Sequence, residues 1–124
     1  MNFTKKIKSI STQWQKKTSI KKATAEWFNK TYPYEYSYHF KWLGIPIIQY
    51  PQDIIALQEI IWKVKPDLII ETGIARGGSM IFSASMLELI GKGKVIGIDI
   101  DLRKHNKLAI QKHSLYKRIT LLEG

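Results

Sequence analysis

At 124 residues, 44% hydrophobic and 24% charged, the chain suits one soluble domain with a modest core. It has no cysteine, which excludes disulfides and thiolate metal sites, and no apolar run near the roughly 18 residues of a membrane span. The net charge of +10 is uneven: residues 1–30 carry eight lysines against Glu26 alone, whereas residues 31–124 carry twelve basic and nine acidic side chains.

Lys5, Lys6 and Lys8 have no apolar signal core behind them, so the expected location is cytoplasmic. Phe3, Ile7, Ile10 and Trp14 fall at steps of four, three and four, one face of an amphipathic helix. Ile20, Ala23 and Trp27 continue the helical spacing. Such a basic arm suits a membrane surface or a nucleic acid. The expectation favoured here is plainer: the arm packs on the rest of the protein and leaves its lysines in solvent.

Tyr32, Tyr34, Tyr36, Tyr38 and Phe40 alternate strictly, which suits a short strand or an aromatic-lined loop. Gly44, Pro46 and Pro51 read as turns, and His39 as a surface residue rather than a ligand. Asp53 is placed to cap a helix starting just after it. Ile54, Ile55, Leu57, Gln58, Ile61, Trp62 and Val64 form its stripe, and Pro66 stops it.

A strand, Leu68 to Glu71, leads into Gly73, Gly77, Gly78 and Ser79. The next helix, Ser79 to Ile90, has a broad apolar surface that includes Leu89, and Gly91 closes it. Val95 to Asp99 reads as a second strand, Arg103 to Lys112 as a helix with Leu108 and Ile110 available for packing, and Arg118 to Leu122 as a third strand. Alternating strands and helices predict a parallel sheet with right-handed crossovers. The fold class expected is α/β and Rossmann-like: about three parallel strands with helices on the faces, preceded by the basic arm.

Ligands of such sheets sit beyond the carboxyl ends of the strands, where Glu71 and Asp99 stand. Gly73 and Gly77 allow close backbone approach without a Cβ. A P-loop needs a lysine after its glycines, and here Gly78 and Ser79 follow Gly77. A dinucleotide turn needs G-x-G-x-x-G, whereas Gly73 and Gly77 are separated by three residues. Acid-x-Gly-x-x-x-Gly, with a second acid ending the next strand, suits S-adenosylmethionine. Asp99 would take the ribose hydroxyls, Glu71 would help to hold the methionine ammonium, and Ser79 with the helix N-terminus suits the carboxylate.

The segments KWLGIPIIQYPQDIIALQEIIWKVKPDLIIETGIARGGS, VIGIDIDLRKHNKLAI and RITLLEG closely resemble the cephalosporin hydroxylase / rhamnosyl O-methyltransferase family, which has a class I S-adenosylmethionine-dependent methyltransferase fold. The resemblance covers about residues 41–124 and rests on Trp42, Gly44, Gln49, Pro51, Asp53, Gln58, the ETGIARGGS block and the DID-x-R-x-HN block. It implies cofactor contacts at Glu71, Gly73, Ala75 and Ser79, beside the Gly77 already read from the spacing, with Asp99 on the ribose and Ile100 beside the adenine. Asp101, Arg103, His105 and Asn106 are motif residues without an assigned role.

The implied reaction is methyl transfer to a hydroxyl of a sugar or other small molecule, although the family name also includes a hydroxylase. The chain resembles the N-terminal portion of such an enzyme: residues 1–40 as an arm and 41–124 as the first half of a cofactor domain, with one sheet edge exposed after the third strand. The resemblance further implies Mg2+ in full-length relatives, with ligands and catalytic residues beyond these positions. The alternative is a non-catalytic remnant whose basic arm engages a membrane surface or, less favoured, nucleic acid.

Overall fold

A computed structural model describes residues 2–124, which divide into two compact units, Met1–Tyr36 and Ser37–Gly124. The first unit holds helices α1 (Phe3–Trp14) and α2 (Thr18–Thr31). Asn2 starts α1 because its side-chain oxygen accepts a hydrogen bond from the Lys5 N–H at 2.9 Å. No residue of α1 or α2 is buried. The tyrosine alternation does not make a strand. Tyr32–Tyr34 and Tyr36–Tyr38 are two short 3-10 turns, separated by Glu35 at φ 52°. Side-chain alternation carries little weight in a stretch with a left-handed residue at its centre. Trp27 meets Tyr36 edge to face at 4.8 Å within the unit.

The second unit opens with a hairpin that sequence reasoning missed. β1 (Phe40–Trp42) pairs antiparallel with β2 (Ile45–Ile47). Leu43 and Gly44 between them have φ of 45° and 88°, two consecutive positive values that match the twist of a tight hairpin. Pro46, expected in a turn, sits inside β2 opposite Lys41. A two-stranded ribbon tolerates it, because each strand has an edge that needs no N–H.

Helix α3 (Pro51–Val64) begins at Pro51, preceded by Tyr50, so Asp53 lies in its first turn and is not its cap. Proline at the first helical position costs no hydrogen bond, which moves the start three residues upstream. Of the expected stripe only Ile54 and Ile61 are buried, whereas Ile55, Leu57, Trp62 and Val64 are exposed.

The main sheet is parallel, in the order β3 (Leu68–Thr72), β4 (Lys94–Asp99), β5 (Ile119–Glu123). Among the described residues its two edges are β3 and β5, so the open edges include the strand that carries the glycine turn. Helix α4 (Gly78–Ile90) is the centre of the packing. Gly78 and every residue from Met80 through Leu87 are buried. Met80, Ile81, Ala84 and Leu87 join Val95, Ile110 and Ile119 in one cluster; Phe82 and Met86 join Ile47, Ile54 and Ile61 in another. The breadth of its apolar surface thus has two causes, the sheet on one side and the hairpin with α3 on the other. Leu89 is the exception and is exposed. On the opposite sheet face Leu68, Ile70 and Leu122 are exposed.

Helix α5 (Lys104–Gln111) buries Asn106 and Ile110, and Leu108 stays exposed. Arg118 ties α4 to the start of β5 by pairing with Glu88 and donating to the Gly93 carbonyl at 2.9 Å.

Two glycines differ in what surrounds the missing side chain. A Cβ on Gly78 would strike the Pro46 carbonyl oxygen and, at 2.5 Å, the Ile47 Cα, both backbone atoms. A Cβ on Gly97 would meet the end of the Met80 side chain at 2.6 Å. Backbone cannot yield cheaply, whereas a methionine side chain can re-pack. Gly78→Ala is therefore expected to cost about 2–4 kcal/mol and Gly97→Ala about 1 kcal/mol or less in urea unfolding. Equal costs would contradict the close hairpin-to-helix approach.

Candidate cofactor site

The turn between β3 and α4 is a run of alternating left-handed residues. Gly73, Ala75 and Gly77 have φ of 80°, 48° and 93°. Glycine takes that conformation freely, but Ala75 does so against its Cβ and needs outside support. The Asn106 side-chain amide supplies it by donating to the Ala75 carbonyl at 2.9 Å from a buried position on α5. Sequence reasoning left Asn106 without a role; the signal was there in its motif, but the partner is 31 residues away.

The glycines do different work. The Cβ direction of Gly73 is open, with nothing within 4 Å, so a ligand can approach its backbone. Gly77 is buried, and a Cβ there would lie 2.5 Å from the Ile110 side chain. Its missing side chain makes room for α5, while the residue itself stands in the wall of the cavity described below.

Asp99 ends β4 and binds the turn directly. One carboxylate oxygen accepts from the Ile74 N–H at 2.7 Å, the other from the Asp101 N–H at 3.1 Å. The Asp101 and Ile74 N–H groups, in that order, hold its carboxyl below the ordinary value of 3.8. Alongside, the Gly73 N–H donates to the Ile98 carbonyl at 2.8 Å, so strand pairing continues into the turn.

Glu71, at the end of β3, accepts a short hydrogen bond from the Ser79 hydroxyl in the first turn of α4. The hydroxyl expected to meet a cofactor carboxylate is therefore engaged with the strand-end acid. Burial pushes the Glu71 carboxyl above its ordinary value of 4.5, and the Ser79 bond opposes this. Gly77 precedes α4 without a capping side chain, so the first-turn N–H groups of the helix are available to a ligand.

A cavity of about 730 Å³ has Glu71, Gly73, Ala75, Gly77 and Ser79 in its wall. It continues along the open edge of β3 past Ile69 to Leu57 and Ile61. Its size is within the range of small-molecule and cofactor sites. Asp99 and Ile100 are not in that wall. Asp99 reaches the turn through Ile74, and Ile100 is 86% exposed beside it. A smaller cavity of about 350 Å³ adjoins Ala75 and Arg76 and is lined also by Asp101, Arg103 and Asn106. His105 is exposed, and among the described residues no three His, Asp or Glu side chains gather as a metal site.

Three parallel strands with an acid at or next to each carboxyl end, around an uncapped helix start and a glycine turn, define a Rossmann-like α/β domain. Residues 34–124 match the rhamnosyl O-methyltransferase/CmcI family, and the chain belongs to it. A rhamnosyl O-methyltransferase of Mycobacterium leprae (strain TN) is 34% identical over 76 residues, 60% of this chain and 33% of that protein. A solved structure of CmcI with Mg-SAM shares the fold at TM-score 0.57 and 24% identity, over 70% of this chain and 36% of that one. CmcI with SAH does so at TM-score 0.55 and 24% identity, over 68% and 42%. The chain thus spans about a third of the length of the curated relative it matches.

The raised Glu71 carboxyl has a consequence for stability. The folded protein holds that proton more tightly than the unfolded chain, so the Glu71 contribution is largest below about 4.5 and falls as pH rises through the folded value. Glu71→Gln keeps an acceptor for Ser79 and removes the charge. Its urea midpoint is expected to exceed that of the natural protein at about pH 7.5 and to equal it at about pH 4. A lower midpoint at the higher pH would mean that burial does not dominate at Glu71.

Proposed function

We propose that the protein binds S-adenosylmethionine at the β3–α4 turn and serves methyl transfer to a hydroxyl of a sugar or other small molecule. The observation that carries this reading is the turn with three left-handed residues, Gly73, Ala75 and Gly77, held between Asp99 and Asn106, with the Glu71–Ser79 pair on its cavity side. Two CmcI structures named with Mg-SAM and SAH, and the relative named as a rhamnosyl O-methyltransferase, support it.

The residues suit the ligand chemically. S-adenosylmethionine, when bound, supplies a sulfonium methyl for in-line displacement by the acceptor oxygen. Gly73 allows its backbone to lie against the ligand, and the first-turn N–H groups of α4 suit a carboxylate. Glu71 suits the adjacent ammonium; its ionisation becomes favourable once that charge faces it. Asp99 retains acceptor capacity beyond its two backbone bonds for a ribose hydroxyl, and the exposed Ile100 offers an apolar surface for adenine. The contribution of these groups is orientation of the methyl donor. No residue of this chain is assigned to Mg2+, because the described residues do not bring three ligating side chains together.

Calorimetric titration with S-adenosylmethionine tests the assignment. Asp99→Ala is expected to weaken binding at least about tenfold, the loss typical of a charged hydrogen-bonding group. Affinity should rise with pH as Glu71 ionises, and Glu71→Gln should flatten that dependence. Unchanged affinity in Asp99→Ala would remove Asp99 from the site.

A further inference from the structure

The two N-terminal helices are left unexplained by a cofactor site. At 100° per residue, Phe3, Ile7, Ile10 and Trp14 lie within about 60° of arc on α1. All four are exposed, from 46% at Ile7 to 77% at Phe3. The stripe continues past the bend between the helices, where Trp14 and Ile20 line an apolar groove of about 480 Å³ that also includes Lys21. Around this apolar line residues 1–30 carry eight lysines and one acid. Among the described residues only Lys30 is ion-paired within the arm, to Glu26 at 2.8 Å.

We propose that this arm lies in the surface of an anionic phospholipid bilayer, with the Phe3–Ile7–Ile10–Trp14 line among the acyl chains and the lysines against the headgroups. The charge is complementary, and the apolar stripe has the form that interfacial helices use. Helices of 12 and 14 residues are too short to cross a bilayer, and no described helix is long and apolar enough to do so. They are long enough to lie flat.

Nucleic acid is the other polyanion that such charge attracts, and the composition argues against it. The arm has no arginine, so it lacks the bidentate fork that grips phosphate and guanine. The two isoleucines in the centre of the stripe have neither a base to stack on nor a polar edge to meet. A bilayer uses both halves of the pattern; a nucleic acid uses only the lysines.

The test is vesicle co-sedimentation of the full chain. Vesicles of phosphatidylcholine with about 30% phosphatidylglycerol are compared with phosphatidylcholine alone, at about 50 and 500 mM salt. Binding is expected to the anionic vesicles only and to weaken in high salt. Ile7→Ser with Ile10→Ser should reduce partitioning at least about tenfold, as should Lys5→Glu with Lys6→Glu and Lys8→Glu. None of these residues is buried, so the unfolding midpoint of the second unit should not move, which separates lost binding from lost folding. The proposal is overturned by equal binding to neutral vesicles, by undiminished binding of the isoleucine variant, or by binding to a duplex oligonucleotide without binding to anionic vesicles. None of these outcomes depends on the S-adenosylmethionine reading.

Discussion

One carboxylate holds the working end of this domain together. Asp99 ends the middle strand and accepts N–H bonds from Ile74, in the turn after β3, and from Asp101, in the turn after β4. Two loops that belong to different crossovers are joined through it. Without that link the Gly73–Gly77 turn would have to keep Ala75 in a left-handed conformation with only Asn106 behind it. The cost of such a conformation is about 1–3 kcal/mol, so it persists only where the surroundings over-determine it. Here they do: β4 holds one side of the turn, α5 the other, and Ile110 fills the space that a larger residue at position 77 would need.

That arrangement explains why the site residues divide into two kinds. Glu71, Gly73 and Ser79 face the cavity and can meet a ligand. Asn106 acts from behind, on the Ala75 carbonyl, and Gly77 lines the cavity while its missing Cβ leaves room for Ile110. Asp99 positions the turn through its backbone bonds, from outside the cavity wall. The Glu71–Ser79 bond adds a coupling between the end of β3 and the start of α4. A cationic group near Glu71 would restore ionisation that burial now opposes, so binding and protonation are linked at this position.

Much of this was legible in the residues. The strand Leu68 to Glu71, the helix to Ile90 and the closing Gly91 are strong local signals, and the structure contains them within a residue or two. The acids at two strand ends were readable because a parallel sheet places both at one edge. The failures share a cause, which is competition between local patterns. The alternating tyrosines imitate a strand, yet the left-handed Glu35 breaks the chain into turns. Asp53 has the chemistry of a cap, but Pro51 suits an earlier start. Hairpin strands of three residues are too short to show a period. Asn106 stood in a motif without a role because its meaning lies in a contact between distant segments, and α3 exposes more large apolar residues than it buries.

The account depends on the turn being a ligand-facing element rather than a mere strand-to-helix connection. Amide chemical shifts followed during titration with S-adenosylmethionine test that most directly. The predicted result is a single set of shifts centred on Gly73, Ala75, Ser79, Ile100 and Asp101, with the amides of α1 unmoved. Saturating ligand that leaves those five amides in place, in a protein whose spectrum shows it to be folded, would contradict the account.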